Sequence, residues 1–360
     1  MRIVYVLTSL GIGGAERQTL LLASRMQQRG HAVALLILKG RQAEEWPATA
    51  PPVYLGLKKS PRSLFSAFRR AKGFLEGYGA DVVQSHGFHG NLFARLLLVL
   101  DSVPVVSTLH NVYEGGWARM LAYRLTDALS WRTIAVSDEV RRRFIRKRSV
   151  AAGNCFVVRN AVEIAEWVPD GQRRRSIRQE LGVGECFLWL ATGRLAKAKD
   201  YPNLLRAFAG VQHHRAGARL WIAGAGQWDG LRELARSLGI GEAVRWLGLR
   251  RDMSALMDAA DGYVLSSAWE GMPLALMEAM AMAKPVVATN VGGINELVAE
   301  CGCLVPPADP VALAEAMLRM MACGQEEREV FGRAARERIL AHFSMETRAS
   351  EWEQIYRSVQ

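Results

Sequence analysis

The chain has few cysteines, no long apolar run and no Asp-x-Asp pair. Its five cysteines (Cys155, Cys186, Cys301, Cys303 and Cys323) are odd in number and lack paired metal-site spacing. That argues against a disulfide framework and against a structural zinc site; Cys301-Gly302-Cys303 reads as part of a turn and strand. The longest uninterrupted apolar stretches, such as 32–38 and 96–100, are far below the ~20 residues that span a bilayer. The start of the chain passes directly into a strand-like run, 2–7, with no signal-peptide region. A cytoplasmic, reducing location is the expectation.

What is present is a chain of 360 residues, half of them apolar, which fits two well-packed domains better than one. Charge is divided unevenly. Residues 1–175 hold 26 Lys+Arg against 13 Asp+Glu, and residues 176–360 hold 20 against 22. Basic clusters at 141–143, 146–148 and 173–175, with Lys58-Lys59 and Arg69-Arg70, supply much of the excess. Such asymmetry suggests a polyanionic partner, an anionic membrane surface or nucleic acid.

Short apolar runs alternate with amphipathic stretches along the whole chain. Strands are expected at 2–7, 32–38, 82–84, 105–108, 133–136 and 156–158. After a polar connector at 160–171, a second set follows at 187–192, 220–223, 244–247, 262–265, 285–288 and 303–305. Two successive series of this kind predict two parallel, doubly wound sheets, an α/β fold. In such sheets ligands bind outside the carboxyl ends of the strands. The last segment, 344–357, reads as a helix carrying Trp352, Ile355 and Tyr356.

Three motifs follow strand ends. The stretch 269–280 begins Trp-Glu-Gly-Met-Pro and opens a helix at Pro273, a residue suited to a first helical position. Free amides at that helix start, flanked by Glu270 and Glu278, suit a sugar nucleotide: amides for phosphate, carboxylates for hydroxyls. In 192–200, Arg194 can grip phosphate oxygens in a fork and Lys199 adds a mobile point charge, while Lys197 is read as solvated. Together Arg194 and Lys199 can neutralise a leaving diphosphate, the job a metal does in other transferases. Gly11-Ile12-Gly13-Gly14-Ala15-Glu16 follows the first strand, but Glu16 stands at the third glycine position of a dinucleotide fingerprint. No acidic residue ends the second strand, and Gly224-Ala225-Gly226 also lacks its third member, so neither is an NAD site. His110 closes a strand of the first half.

Taken in order, Gly-Gly-Ala-Glu at 13–16, His110, Gly193-Arg194 with Lys199, Ala-Gly-Ala-Gly at 223–226, and Glu270-Gly271-x-Pro273 with Glu278 resemble the retaining GT-B glycosyltransferases of the GT4-like family. The resemblance covers essentially the full length. It implies two facing Rossmann-like domains with a central cleft: 1–165 on the acceptor side, 166–343 for the donor, and a C-terminal helix, 344–360, that crosses back to the first domain. It implies Arg194, Lys199, Glu270 and His110 as catalytic residues, His110 contacting the transferred sugar. Gly13, Gly14, Gly193, Gly271, Met272, Leu274 and Glu278 are implied to bind the donor, and Glu16 to face the acceptor. Asn160 matches a polar hinge residue, and Glu296 after Gly292-Gly293 reads as structural. Two positions depart from the family pattern: Asp200 and Ala161 stand where glycines are usual.

The implied reaction is retaining transfer of a sugar from a UDP- or GDP-sugar to a hydroxyl of a saccharide or lipid-linked acceptor, in building lipopolysaccharide or related surface glycans. No metal and no cofactor are expected, and a peripheral position on an anionic membrane is. The rival readings are a GT-B sugar-nucleotide epimerase or hydrolase and a basic nucleic-acid-binding protein.

Overall fold

The computed structural model describes residues 1–11, 13–40, 52–98 and 102–359; Ile12 of the first glycine loop and the end of the 96–100 run lie outside the described residues. The chain folds into two compact units: Met1–Ala161 together with the segment from Met345 onward, and Val162–Ser344. The sequence reading placed these boundaries at 165 and 343.

In the first unit the chain runs β1 (Arg2–Leu7), α1 (Gly14–Gln28), β2 (Ala32–Ile37), β3 (Val53–Tyr54), α2 (Pro61–Tyr78), β4 (Val82–His86) and α3 (Gly87–Leu97). It continues through β5 (Val105–Leu109), α4 (Trp117–Thr126), β6 (Arg132–Ala135), α5 (Asp138–Arg146) and β7 (Cys155–Val157). These strands form one parallel sheet in the order β3-β2-β1-β4-β5-β6-β7. Strands this apolar need cover on both faces, and the period of two divides their side chains. Ile3, Tyr5, Leu7, Leu35 and Ile37 pack against Leu22 and Met26 of α1 on one face. Val4, Val6, Leu36 and Leu38 pack on the other, against Ala67, Ala71 and Leu75 of α2 and Phe93 and Leu97 of α3. Ring contacts carry this second layer onward. Phe68 stacks on Phe93 at 4.5 Å, Phe88 meets Tyr123 edge-on at 5.4 Å, and Tyr123 meets Phe144 at 5.4 Å.

The second unit runs α6 (Gly171–Glu180), β8 (Leu188–Thr192), α7 (Tyr201–His214), β9 (Arg219–Ala223), α8 (Asp229–Ser237), β10 (Val244–Gly248), α9 (Met253–Ala259) and β11 (Gly262–Leu265). Then come α10 (Leu274–Ala281), β12 (Val286–Thr289), α11 (Ile294–Val298), β13 (Cys303–Val305), α12 (Pro310–Ala322) and α13 (Gln325–His342). Its sheet has the order β10-β9-β8-β11-β12-β13, all pairs parallel. In both sheets the strand order reverses once, beside β1 and β4 in the first unit and β8 and β11 in the second. Loops leaving those strands are where such folds hold ligands.

Two details differ from the sequence reading. Pro273 is not the first residue of a helix but the capping residue before α10, with ψ of 117°. The basic run at 173–175 belongs to the second unit, and two of its members are used internally. Arg173 Nε donates to Asp258 Oδ2 at 2.6 Å, and Arg174 binds Asp261 at 2.5 Å. Asp258 is buried, so its charge requires that partner.

The final helix, α14 (Met345–Arg357), belongs to the first unit. Its buried face, Met345, Ala349, Trp352 and Tyr356, joins the core formed by β1, β2 and α1. The Tyr356 hydroxyl meets Tyr5 Oη at 3.2 Å and donates to Gln84 Oε1, and Gln84 Nε2 donates to Thr108 Oγ1 at 3.1 Å. Truncating the indole in Trp352→Ala should cost about 3–5 kcal/mol. The check is urea unfolding: the first unit should unfold at lower denaturant while the second keeps its midpoint, and an unchanged transition would contradict this packing.

Candidate active site

In the second unit the site grows from the ends of β8 and β11. Beyond Thr192 the backbone turns at Gly193, with φ of +145°, a region closed to most side chains. The neighbouring loop comes so close that a Cβ on Gly224 would lie 1.9 Å from the Gly193 carbonyl oxygen. Tyr201 Oη donates to that same carbonyl at 3.0 Å, which fixes the turn from α7. Asp200 sits at φ 44° and ψ 51°, which explains why glycine is the usual residue there. Aspartate is among the few others that tolerate this left-handed conformation, and here its side chain accepts from Asn203 N at the start of α7.

The 194–199 loop is tied to the exit of β11. Ser266 Oγ donates to Lys199 O at 2.8 Å, and Ala268 N donates to Ala198 O at 2.8 Å. These bonds bring Lys199 Nζ to 2.6 Å from Glu270 Oε1, an oxygen that also accepts from Ser267 Oγ at 2.7 Å. Glu270 is 8% exposed. Gly292 lies under it at φ +58°, where a Cβ would meet the Glu270 carbonyl oxygen at 2.0 Å, and Gly293 N donates to Gly271 O at 2.8 Å. Met272, Leu274 and Glu278 are buried beside this turn. Burial raises the Tyr263 phenol well above its ordinary range. Its hydrogen bond to Thr192 Oγ1, 3.0 Å, works against that rise, while the Glu278 and Glu270 carboxylates add to it. The structure therefore brings Gly193, Lys199, Glu270 and Gly271 together at one sheet end, with Arg194 and Lys197 exposed on the same loop. A lysine already held by a carboxylate is poised to exchange that partner for a phosphate oxygen.

In the first unit Gly13 caps α1, and Glu16 folds back over it: a Cβ on Gly13 would lie 2.3 Å from Glu16 Oε2. The Glu16 carboxylate thus occupies the positive end of α1. His110 is held from two sides. Its backbone N donates to Glu114 Oε1 at 3.0 Å, and its Nε2 lies 2.8 Å from His86 Nδ1. Glu114 Oε2 in turn accepts from Tyr123 Oη at 2.5 Å, and Asn91 Nδ2 donates to that hydroxyl at 3.0 Å. Burial raises the Glu114 carboxyl above its usual range despite these bonds. The two imidazoles and Gln18, Gln84, Asn160 and Trp352 line a small pocket. His86 Nε2 is buried there with no hydrogen-bond partner among the described residues. Burial lowers the His110 imidazole to about 4, and burial with the His110 charge lowers His86 well below its ordinary value.

Sequence reasoning missed His86, Glu114 and Ser267. The expected strand at 82–84 stops short; β4 reaches His86, which pairs in register with Thr108. A rule that looks for polar residues closing adjacent parallel strands would have found His86 beside His110. Ser267 and Glu114 carry no local signal. Among the described residues no group of three or more His, Cys, Asp or Glu is placed to hold a metal ion.

Comparison with known proteins bears on both units. A family model described as Glycosyltransferase Family 4 matches residues 12–166, and one described as Glycosyl transferases group 1 matches residues 187–323. The alpha-maltose-1-phosphate synthase of Mycobacterium tuberculosis is 30% identical over 316 residues, covering 78% of this chain and 79% of that protein. The UDP-Gal:alpha-D-GlcNAc-diphosphoundecaprenol alpha-1,3-galactosyltransferase of Escherichia coli is 24% identical over 323 residues, 84% of this chain and 80% of that one. Among solved structures, Anabaena Alr3699/HepE in complex with UDP and glucose superposes with a TM-score of 0.87 at 22% identity, covering 99% of this chain and 100% of that one.

The histidine pair makes a prediction about acid. Both imidazoles titrate lower in the folded state than in the unfolded chain, whose histidines titrate near ~6.5, so the unfolded state binds more protons between those values. Stability of the first unit is then full above about pH 6.5 and declines as pH falls toward the folded values. Denaturation midpoints from pH 7 to 5 should fall more steeply in the native protein than in a His86→Gln/His110→Gln variant. Parallel slopes would show that the pair does not titrate in this way.

Proposed function

The chain belongs to glycosyltransferase family 4, and from that premise we propose that it moves a sugar from a UDP- or GDP-sugar to a hydroxyl of a saccharide or lipid-linked acceptor, with retention of anomeric configuration. It is a glycosyltransferase with the GT-B fold. The observation that carries the finer reading is the Lys199–Glu270 pair held between the Gly193 turn and the start of α10. On donor binding, Lys199 transfers its contact from Glu270 to a diphosphate oxygen, and Arg194 closes on the same group. The first amides of α10 add positive charge. Glu270, still bonded to Ser267, then accepts a hydrogen bond from a hydroxyl of the donor sugar, and Glu278 takes the ribose hydroxyls. The bond from the anomeric carbon to the phosphate oxygen breaks, the acceptor oxygen bonds to the same face of that carbon, and the acceptor proton passes to the leaving phosphate. Arg194, Lys199 and the α10 amides stabilise charge that develops only as that bond breaks. In this reading His110 contacts the transferred sugar, Gly13 and Gly14 face the donor phosphates, and Glu16 faces the acceptor.

Two relatives favour a UDP sugar: the similar solved structure was bound to UDP and glucose, and the Escherichia coli relative is a UDP-Gal transferase acting on a diphosphoundecaprenol acceptor. The second of these also supports a lipid-linked acceptor and a place in surface-polysaccharide or lipopolysaccharide synthesis. No helix among the described residues is long and apolar enough to cross a membrane. The first unit holds 25 Lys+Arg against 13 Asp+Glu, the second 21 against 22. That imbalance supports reversible attraction of the first unit to an anionic membrane carrying the acceptor.

The test is turnover with a panel of nucleotide sugars and lipid-linked or free saccharide acceptors. Arg194→Ala and Lys199→Ala should each lower turnover about 100-fold, roughly 2–3 kcal/mol of lost charge stabilisation. Near-normal turnover in both variants would remove the diphosphate clamp from the account. In the same assay EDTA should leave activity largely intact, because the clamp rather than a metal neutralises the leaving group. Complete loss of activity restored by Mg²⁺ or Mn²⁺ would overturn that assignment.

A further inference from the structure

The most exposed large apolar side chains among the described residues lie on one layer. Phe65 of α2 is 72% exposed, Trp117 of α4 is 80% and Leu125 of α4 is 73%. On α4, Trp117, Leu121 and Leu125 recur every four residues, so they form a stripe along one helix face, while Tyr123 and Thr126 turn inward. The α2 and α4 helices flank α3, whose Leu96 is also exposed, and all three cover the sheet face opposite α1 and α14. A soluble protein rarely concentrates apolar groups this way unless something covers them.

The margins of the layer are basic. Arg62 and Arg69 on α2, Arg124 on α4, and Arg146, Lys147 and Arg148 at the end of α5 are all exposed. Two other basic residues of α5 have partners within the protein: Arg141 Nε donates to Cys155 O at 2.7 Å, and the exposed Arg142 pairs with Glu139 at 3.0 Å on the same helix. The arginine cluster at 141–148 that the sequence singles out is therefore only one margin of a wider surface with an apolar centre.

We propose that the outer face of α2–α3–α4, with the end of α5, is the surface that docks on an anionic lipid bilayer. Phe65, Trp117 and Leu125 enter the interfacial region, and the flanking arginines and lysines contact head-group phosphates. This rests on the membrane-docking reading above and assigns its site. The composition selects the occupant. A second copy of the chain would bring the same positive charge against this face. A nucleic acid would satisfy the arginines but offers nothing for the aliphatic Leu121 and Leu125. An acidic bilayer supplies both the negative charge and the hydrocarbon.

Vesicle co-sedimentation tests this on the full chain, with phosphatidylcholine vesicles and with vesicles of phosphatidylcholine and phosphatidylglycerol. The native protein should bind only the acidic vesicles and be released at high salt. A Phe65→Ser/Trp117→Ser/Leu125→Ser variant should bind them at least ~10-fold more weakly, with its thermal transition and donor binding unchanged. Trp117→Phe should keep the binding but lose part of the tryptophan quenching that brominated lipid produces. Native binding that persists in the triple variant would place the docking surface elsewhere while leaving the membrane reading intact. Failure of the native protein to bind acidic vesicles would overturn both. A native dimer that the triple variant converts to monomer would make this face a subunit interface and overturn the inference.

Discussion

The candidate chemistry of this chain depends on one ion pair, Lys199 with Glu270, and on the backbone that holds it. Each partner stands on a loop leaving a different strand, β8 or β11, at the point where the order of the second sheet reverses. An exposed lysine–carboxylate pair contributes little because two flexible side chains must be ordered. Here the ordering is done beforehand. Ser266 ties the Lys199 backbone to the β11 exit, Ser267 shares the acceptor oxygen of Glu270, and Gly292 allows the backbone to press against the Glu270 carbonyl. A preorganised pair of opposite charges can trade one partner for another without rebuilding its surroundings, which is what a site for a leaving diphosphate requires.

The first unit uses the same geometry for a different chemical end. Its sheet also reverses beside the strands that feed the candidate site, but the groups at those strand ends are neutral imidazoles and a buried carboxyl rather than a lysine pair. Burial keeps His86 and His110 uncharged, so they present hydrogen-bonding groups without a fixed charge. The C-terminal helix supports them from below: Tyr356 reaches Gln84 and, through it, Thr108, and Trp352 lines the pocket. That arrangement gives the last segment of the chain a function in the first unit, although the whole second unit separates them in sequence.

Much of the fold was legible in the sequence. The alternation of apolar runs with amphipathic stretches identified both sheets, because strands covered on two faces must be apolar throughout. Glu270 and Lys199 were singled out because each follows a strand end, and His110 because the family resemblance marks the residue that closes its strand. What escaped was set by register and by distant contacts. His86 needed two more residues of β4, and only pairing with β5 shows that it closes the strand. The run at 173–175 looked like a free basic cluster because its partners, Asp258 and Asp261, lie more than 80 residues away. Asp200 looked like a departure from the expected glycine, yet its left-handed backbone and helix cap show how an aspartate meets the same requirement.

The central claim is that the ends of β8 and β11 hold the diphosphate of the donor. Amide hydrogen exchange measured with and without UDP or GDP tests it most directly, since the ligand must shield the backbone it binds. The account predicts slower exchange at 193–199 and 270–277 on adding the nucleotide that binds. It predicts little change in β13, which lies at the far edge of the same sheet. Binding accompanied by protection elsewhere in the chain, with none in those two loops, would contradict it.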